Sequence, residues 1–232
     1  MGTNTPPRCK WVMLILLIIF CLTSKTYSNT YNIKFRQISR EENLPNNIVY
    51  DIIQDPVGFM WFGTQDGGLN RYDGAAVKSF THDAKDQNTV ASNNTGNLYI
   101  DSKGILWIGT KDGLNRQDPV TGKFRHFSHN PMEPTSISSS QISVIFKDKK
   151  GQLFLGTEDG GLNLFDPSTE QFKTYISDPN DPHSISGNHI ISIFEDSEGT
   201  LWIGTYQNGL NRFDPERGIF TAIGMIQKAP RV

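Results

Sequence analysis

Residues 196–211 read Asp-Ser-Glu-Gly-Thr-Leu-Trp-Ile-Gly-Thr-Tyr-Gln-Asn-Gly-Leu-Asn, and close copies of the string run from Asp55 to Asn70, Asp101 to Asn115 and Asp148 to Asn163. The Gly-Thr pairs inside them begin at 63, 109, 156 and 204, so the steps are 46, 47 and 48 residues. Two further landmarks recur with them: Leu44, Val90, Ile137 and Ile185 ahead of each copy at the same steps, and Phe80, Phe127, Tyr175 and Ile223 behind it at steps of 47, 48 and 48. Three landmarks held in register define a tandem repeat, and the repeat decides the fold.

Each unit divides into four short extended pieces separated by turn residues, the grammar of an antiparallel meander. The first is apolar and β-branched, as in Ile48–Gln54, Ile142–Lys147 and Ile190–Glu195. It ends in Asp-x-x-Gly, at Asp55, Asp101, Asp148 and Asp196, a spacing suited to a turn whose Asp bonds back to the backbone and whose Gly accepts a positive φ. The second strand spans 59–64, 105–110, 153–157 and 201–205; the third spans 69–72, 114–117, 162–165 and 210–213. Asp73-Gly74 and then Asp-Pro at 118, 166 and 214 stop the third strand, since proline cannot donate to a ladder. The fourth covers 77–81, 124–128, 172–176 and 220–223.

In Leu-Trp-Ile-Gly-Thr the alternation of a strand puts Leu and Ile on one face and Trp and Gly on the other. Both faces are apolar, so both must be covered, and a stack of sheets provides that cover. The glycines Gly63, Gly109, Gly156 and Gly204 let a neighbouring sheet approach, and Trp61, Trp107, Phe154 and Trp202 fill the space beside them. An antiparallel four-stranded unit of ~45 residues, repeated and covered on both faces, specifies an all-β protein of β-propeller blades. The expected blades lie at about 46–81, 92–128, 138–176 and 186–223. Truncating a tryptophan wedged between sheets, Trp107 or Trp202, is expected to cost ~3–5 kcal/mol.

The string Asp-x-x-Gly-x-Leu-Trp-Ile-Gly-Thr-x-x-x-Gly-Leu-Asn-Arg-Phe-Asp, most complete over Asp196–Asp214, resembles the repeat of the two-component regulator propellers. That resemblance covers about residues 33–223. It implies the extracytoplasmic sensor part of a bacterial hybrid histidine kinase, in a family many of whose members are linked to polysaccharide use. It also implies seven-bladed rings, usually more than one, followed by a membrane helix and kinase modules. Departures are Phe154 for Trp, Leu164 for Arg, and Thr95-Gly96-Asn97, which weakens the first strand of the second repeat.

Outside the repeats, Arg8 and Lys10 precede an apolar run, Trp11–Leu22, with small and polar residues after it. Twelve apolar residues are too few for a span of ~20, so residues 1–28 read as a secretory signal peptide, with an uncleaved anchor as the alternative. Bulky Phe20 before Cys21 disfavours a lipoprotein signal. Without the leader, 19 basic face 24 acidic residues and no basic stripe remains, which argues against nucleic acid. Both cysteines, Cys9 and Cys21, lie in the leader, so core burial alone is expected to hold the rest.

The segment 33–39 carries Lys34-Phe35-Arg36-Gln37-Ile38-Ser39, which parallels the fourth strand Lys123–Ser128. The last repeat already owns a fourth strand at 220–223, so this opening outer strand has no home in the chain. The expectation is therefore an incomplete, truncated ring of about four blades, with a short tail over 224–232, apolar blade faces left exposed and self-association, as in a homodimer, at those faces. A strained four-bladed ring is the alternative.

No catalytic string occurs: neither a phosphate-cradling Gly-rich loop, nor His-Glu-x-x-His, nor Gly-x-Ser-x-Gly, nor a kinase catalytic segment. Nothing calls for a cofactor or a metal; His126 and His129 have a spacing a metal could use but read as a solvated strand end, and Asp66, Asp112 and Asp159 read as turn formers. In a meander the loops between strands two and three share one face with those leading to the next blade. That face gathers Gln65, Asp66, Lys111, Asp112, Glu158, Asp159, Tyr206, Gln207 and Asn208, with the connections 83–93, 130–140 and 178–188, and loops on a rigid scaffold are where binding residues concentrate. Tyr206 has the ring to stack on a sugar. The resulting expectation is a non-enzymatic sensor module for a small ligand such as an oligosaccharide, partnered in the intact protein by further blades and a kinase module. An envelope interaction scaffold and a secreted propeller lyase or hydrolase are the rivals.

Overall fold

A computed structural model describes residues 44–223 of the chain, together with Lys34 and Ile38. The leader and the tail 224–232 lie outside the described residues, as does the opening strand 33–39 apart from Lys34 and Ile38. The blades belong to one compact unit, Ile38–Val232.

Sixteen strands form four separate antiparallel sheets. Blade 1 holds β1 (Val49–Gln54), β2 (Met60–Thr64), β3 (Leu69–Tyr72) and β4 (Val77–Phe80). Blade 2 holds β5 (Thr95–Ile100), β6 (Leu106–Thr110), β7 (Gly113–Gln117) and β8 (Phe124–Phe127). Blade 3 holds β9 (Ile142–Lys147), β10 (Leu153–Thr157), β11 (Leu162–Asp166) and β12 (Gln171–Tyr175). Blade 4 holds β13 (Ile190–Glu195), β14 (Leu201–Thr205), β15 (Gly209–Asp214) and β16 (Ile219–Ile223). Each sheet keeps its strands in chain order. Neighbouring blades meet through β1, β5, β9 and β13, which are therefore the innermost strands, and the sheets do not close into a ring. The weak sequence at Thr95-Gly96-Asn97 is nonetheless strand, with a register shift between Thr95 and Leu98. Corresponding shifts occur in β1, β9 and β13, so the irregularity belongs to the repeat.

Three apolar clusters fill the three interfaces between blades. Trp61 and Leu69 meet Leu98, Leu106, Ile108 and Phe124; Trp107, Leu114 and Phe127 meet Leu153, Leu155, Phe165 and Phe172; Phe154, Leu162 and Tyr175 meet Ile193, Leu201, Ile203, Phe213 and Phe220. The glycine of each second strand sets how close the sheets come. A Cβ on Gly156 would stand 2.7 Å from Ile190 Cβ of the next blade, one on Gly109 would stand 2.9 Å from Ile142 Cγ2, and one on Gly63 would overlap the backbone carbonyl oxygen of Gly96. The backbone at Gly96 is thus part of the fit between blades 1 and 2.

Blade 4 presents the same face uncovered. A Cβ on Gly204 would meet Ser192 Oγ of its own sheet. Leu210 is 39% exposed where its counterparts Leu69, Leu114 and Leu162 are 0% exposed, and Phe194 and Ile223 are exposed beside it. At the other end Ile52 is 53% exposed, against 7% for Leu98 and 9% for Ile193 at the matching positions. This corrects the expectation for Trp202: it lies on the open face and is only partly buried, unlike Trp61 and Trp107.

The turns use their carboxylates twice. Asp55 Oδ1 accepts the backbone N–H groups of Val57, Gly58 and Phe59, with Gly58 at φ 107°, while Oδ2 accepts the Trp61 indole N–H at 2.9 Å. Asp196 holds Glu198 and Thr200 in the same way and the Trp202 indole at 2.8 Å. In blade 3, Phe154 has no N–H to give. There Leu164 stands directly opposite Phe154, where the other blades pair Trp61 with Arg71, Trp107 with Arg116 and Trp202 with Arg212. The guanidinium of Arg71 lies 5.6 Å from the Trp61 ring and that of Arg116 lies 5.8 Å from Trp107. The two departures of the third repeat are one exchange, a cation-on-indole pair replaced by an apolar pair.

Two outcomes follow for stability. Gly63→Ala forces a methyl against backbone and should cost about 1–3 kcal/mol, whereas Gly204→Ala meets a rotatable hydroxyl and should cost under about 1 kcal/mol. Trp107→Ala should cost ~3–5 kcal/mol and Trp202→Ala clearly less, all measured by denaturant unfolding; equal losses at the two tryptophans would contradict the open face. The second outcome concerns acid. Hydrogen bonds hold several turn carboxylates below their usual range: the Ala76 N–H at Asp73, the Thr121 N–H at Asp118, the Ser168 hydroxyl at Asp166 and the Trp202 indole at Asp196. A carboxyl whose folded pKa is depressed stabilises the fold above its unfolded value near 3.9 and loses that contribution as pH falls through the folded value. The melting temperature should hold from neutrality to about pH 5 and fall below about pH 4; a flat profile to pH 2 would count against these bonds.

Candidate functional site

The loop face is built by the ends of the second strands. The N–H groups of Gln65, Lys111, Glu158 and Tyr206 donate to the carbonyls of Ile48, Asn94, Gln141 and His189, residues that lead into the first strand of the same blade. Loops two-to-three and the connections between blades therefore share one face. Buried hydroxyls of Thr64, Thr110, Thr157 and Thr205 close each loop onto the carbonyls of Gly68, Gly113, Gly161 and Gly209 at 2.8–2.9 Å.

A residue type whose role the sequence reading missed fixes the connections. Asn115, Asn163 and Asn211, all fully buried, accept from the N–H groups of Ala91, Ser138 and Ser186 at 2.8–3.0 Å through Oδ1. Their recurrence in every Gly-Leu-Asn was the available signal. Each connection is also stapled to itself, Thr89 Oγ1 accepting from Asp83 N–H, Ser136 Oγ from Asn130 and Ser184 Oγ from Asp178. Val90, Ile137 and Ile185 plug the core beneath, as Leu44 does ahead of blade 1. Eleven-residue connections without regular strands are in this way held in place.

Of the expected site residues, Asp66, Lys111, Asp112, Glu158, Asp159, Tyr206 and Gln207 are exposed, and Gln65 and Asn208 are partly so. Lys111 and Glu158 meet in one recess of about 360 Å³ at the inner edge of blades 1–3. Tyr50, Asn94, Asn97 and Gln141 line it too, four residues not singled out from the sequence. Asn97 Nδ2 donates to Ser143 O at 2.6 Å, which ties blade 2 to blade 3 at the recess. Tyr206, Gln207 and Asn208 stand apart from it; the Tyr206 ring packs on His189 with centroids 5.0 Å apart, and Gln207 adopts a left-handed φ of 64°. Asp66 is also left-handed, at φ 55°, and accepts from Asn94 Nδ2 at 3.5 Å. Among the described residues His126 and His129 share no ligand geometry: His126 Nε2 contacts Thr89 O and His129 Nδ1 contacts Ile137 O, each bracing a connection.

The profile of the two component regulator propeller family matches residues 43–66, 89–112 and 184–207. Three of the four repeats are thus similar to the repeat of that family. The unmatched copy is blade 3, where Phe154 and Leu164 replace the Trp–Arg pair. Histidine kinase P4 of Formosa agariphila is 34% identical over 80 residues, which cover 34% of this chain and 6% of that protein. Among solved structures, the extracellular domain of the hybrid two component system BT3049 from B. thetaiotaomicron superposes with a TM-score of 0.73 at 25% identity, covering 82% of this chain and 26% of that one. A streptogramin B lyase shares the fold at a TM-score of 0.55 and 18% identity, over 76% of this chain and 54% of the lyase. The chain thus spans a small part of the histidine kinase and about a quarter of the extracellular domain it matches. Repeats of the same fold build the extracellular domain of that hybrid two component system.

Removing an asparagine pin tests the loop scaffold. Asn163→Ala leaves the Ser138 N–H without its acceptor and should cost about 1–3 kcal/mol. Limited proteolysis should then cut within residues 130–140 faster than in the parent chain; unchanged cleavage would mean that the staple at Ser136 suffices.

Proposed function

We propose that this chain is an extracytoplasmic ligand-sensing propeller of a two-component signalling system, and that it recognises an oligosaccharide or a similar hydroxyl-rich small molecule on its loop face. The observation that carries the reading is the recess where Lys111, Glu158, Asn94, Asn97 and Gln141 converge beside Tyr50. Amides that both donate and accept, a phenol and one charge of each sign suit a neutral polyol, and the braced loops spare the ordering cost of closing on it. Residues 1–28 serve as the export leader in this reading, and the repeats at 46–81, 92–128, 138–176 and 186–223 act beside further blades and a kinase module. The histidine kinase and the hybrid-system domain that resemble the chain support the signalling role.

Thermal-shift and calorimetric screening against neutral oligosaccharides should find at least one stabilising ligand. Lys111→Met with Glu158→Gln should weaken it about tenfold or more while leaving the ligand-free melting temperature within a degree or two, as loss of two surface-loop contacts does. Silence across a broad panel, or binding indifferent to both substitutions, would overturn the assignment. Tyr206→Ala separates the two parts of the face, because its effect is expected only for ligands long enough to reach blade 4.

A further inference from the structure

The turns after the third strands lie on the face opposite the loop face, and one position in them differs from blade to blade. Gly122, Glu170 and Gly218 each stand four residues after the aspartate that stops the third strand, and each is left-handed, at φ 71°, 57° and 72°. Glycine takes that conformation freely, whereas a residue with a Cβ is strained by it. Glu170 offsets the strain with charge. Its carboxylate reaches back to blade 2, where it pairs with Arg116 at 3.1 Å and with Arg125. Those two cations are cross-strand partners on β7 and β8, and both guanidinium groups lie over the Phe127 ring, at 5.8 and 5.6 Å.

Blade 1 repeats the cations, but blade 2 does not supply the carboxylate. Arg71 and Lys78 are the matching cross-strand partners on β3 and β4, the guanidinium 4.3 Å from the Phe59 ring and the ammonium 5.0 Å from the Phe80 ring. In blade 2 the position of Glu170 is held by Gly122, and a Cβ built there would meet nothing within 4 Å. At Gly218 a Cβ would stand 3.4 Å from Tyr175 Cε1 and 4.0 Å from Lys173 Nζ, so this turn position looks back at the fourth strand of the preceding blade. Arg71, Lys78 and Gly122 line one recess of about 520 Å³ between blades 1 and 2. Among the described residues no carboxylate pairs with either cation. The two acids of the recess are committed to their own turns: Asp55 accepts three backbone N–H groups and the Trp61 indole, and Asp118 accepts from Val120 and Thr121. Beside the cations the walls are apolar and open to solvent: Phe59 and Phe80 are partly exposed, Val57 is 79% exposed, and Pro56 and Pro119 are exposed. Phe59 stands where the later repeats have Ile105, Gln152 and Thr200, so its ring is particular to this recess. A guanidinium and an ammonium set for one carboxylate, beside accessible rings, suit an organic acid with an apolar body, and the volume is in the range of small-ligand pockets.

We infer that the recess between blades 1 and 2 binds a small carboxylate with an apolar body, such as an arylalkanoate, whose carboxylate takes the place between Arg71 and Lys78 that Glu170 fills between Arg116 and Arg125. This site is separate from the loop-face recess and does not depend on it. Calorimetry and ligand-observed NMR on the whole chain with phenylpropanoate, the uncharged phenylpropanamide and acetate distinguish the outcomes. Phenylpropanoate should bind about tenfold or more tightly than either of the others and should weaken as salt is raised, as expected for a charge-assisted contact. Arg71→Gln with Lys78→Gln should lower its affinity about tenfold or more. Gly122→Glu should do the same by supplying the carboxylate from within the chain, as Glu170 does one blade on. Circular dichroism establishes that each variant is folded, and if one is not, the other decides. Lys111→Met with Glu158→Gln should leave phenylpropanoate binding unchanged, so that failure here and failure on the loop face are told apart. No binding of phenylpropanoate, equal binding of the amide or of acetate, or binding indifferent to a folded variant of Arg71 and Lys78 or of Gly122 would each overturn the inference.

Discussion

The contact on which this fold depends is the close approach of one blade's second strand to the next blade's first strand. At Gly63, Gly109 and Gly156 there is no room for a methyl group, and the bulk removed there is returned beside it by Trp61, Trp107 and Phe154. A flat stack would leave gaps on one side of each sheet. Pairing a glycine with a large ring in every unit lets twisted sheets pack at native density. The same pairing explains blade 4, whose Trp202 and Leu210 carry the identical sequence and remain accessible because no described sheet lies against them.

Above that core the polar residues are structural before they are functional. The aspartates opening each Asp-x-x-Gly turn hold backbone N–H groups and, in blades 1 and 4, an indole as well. The buried asparagines reach across to the connections between blades. Fixing both faces of the sheet stack in this way turns the loops into a preorganised surface, on which variable residues can change recognition without disturbing the strands. In the proposed reading Lys111, Glu158 and Gln141 are such residues.

Variation within the repeat is itself instructive. Trp and Arg at two neighbouring positions of the sheet are exchanged together for Phe154 and Leu164, which shows that they act as a pair across the ladder. Thr95-Gly96-Asn97 looked like a weakened strand from its propensities. It is instead the stretch whose backbone carbonyls close on Gly63 of the preceding blade, an instance of tertiary fit overriding local preference.

By itself the sequence determined the all-β class, the four units, and nearly every strand end to within a residue, because turn residues and strand alternation are local and the repeat presents each of them four times. It also determined that the second-to-third-strand loops and the connections share a face, since that follows from strand order alone. Only the tertiary structure decided which of those loop residues converge. Lys111 and Glu158 meet because blades 2 and 3 are adjacent at their inner edge, while Tyr206 is held apart against His189. The unequal burial of identical tryptophans and the recess that gathers Arg71, Lys78 and Gly122 between blades 1 and 2 were likewise beyond a linear reading, because each depends on what the next sheet supplies across a gap of 46 to 48 residues.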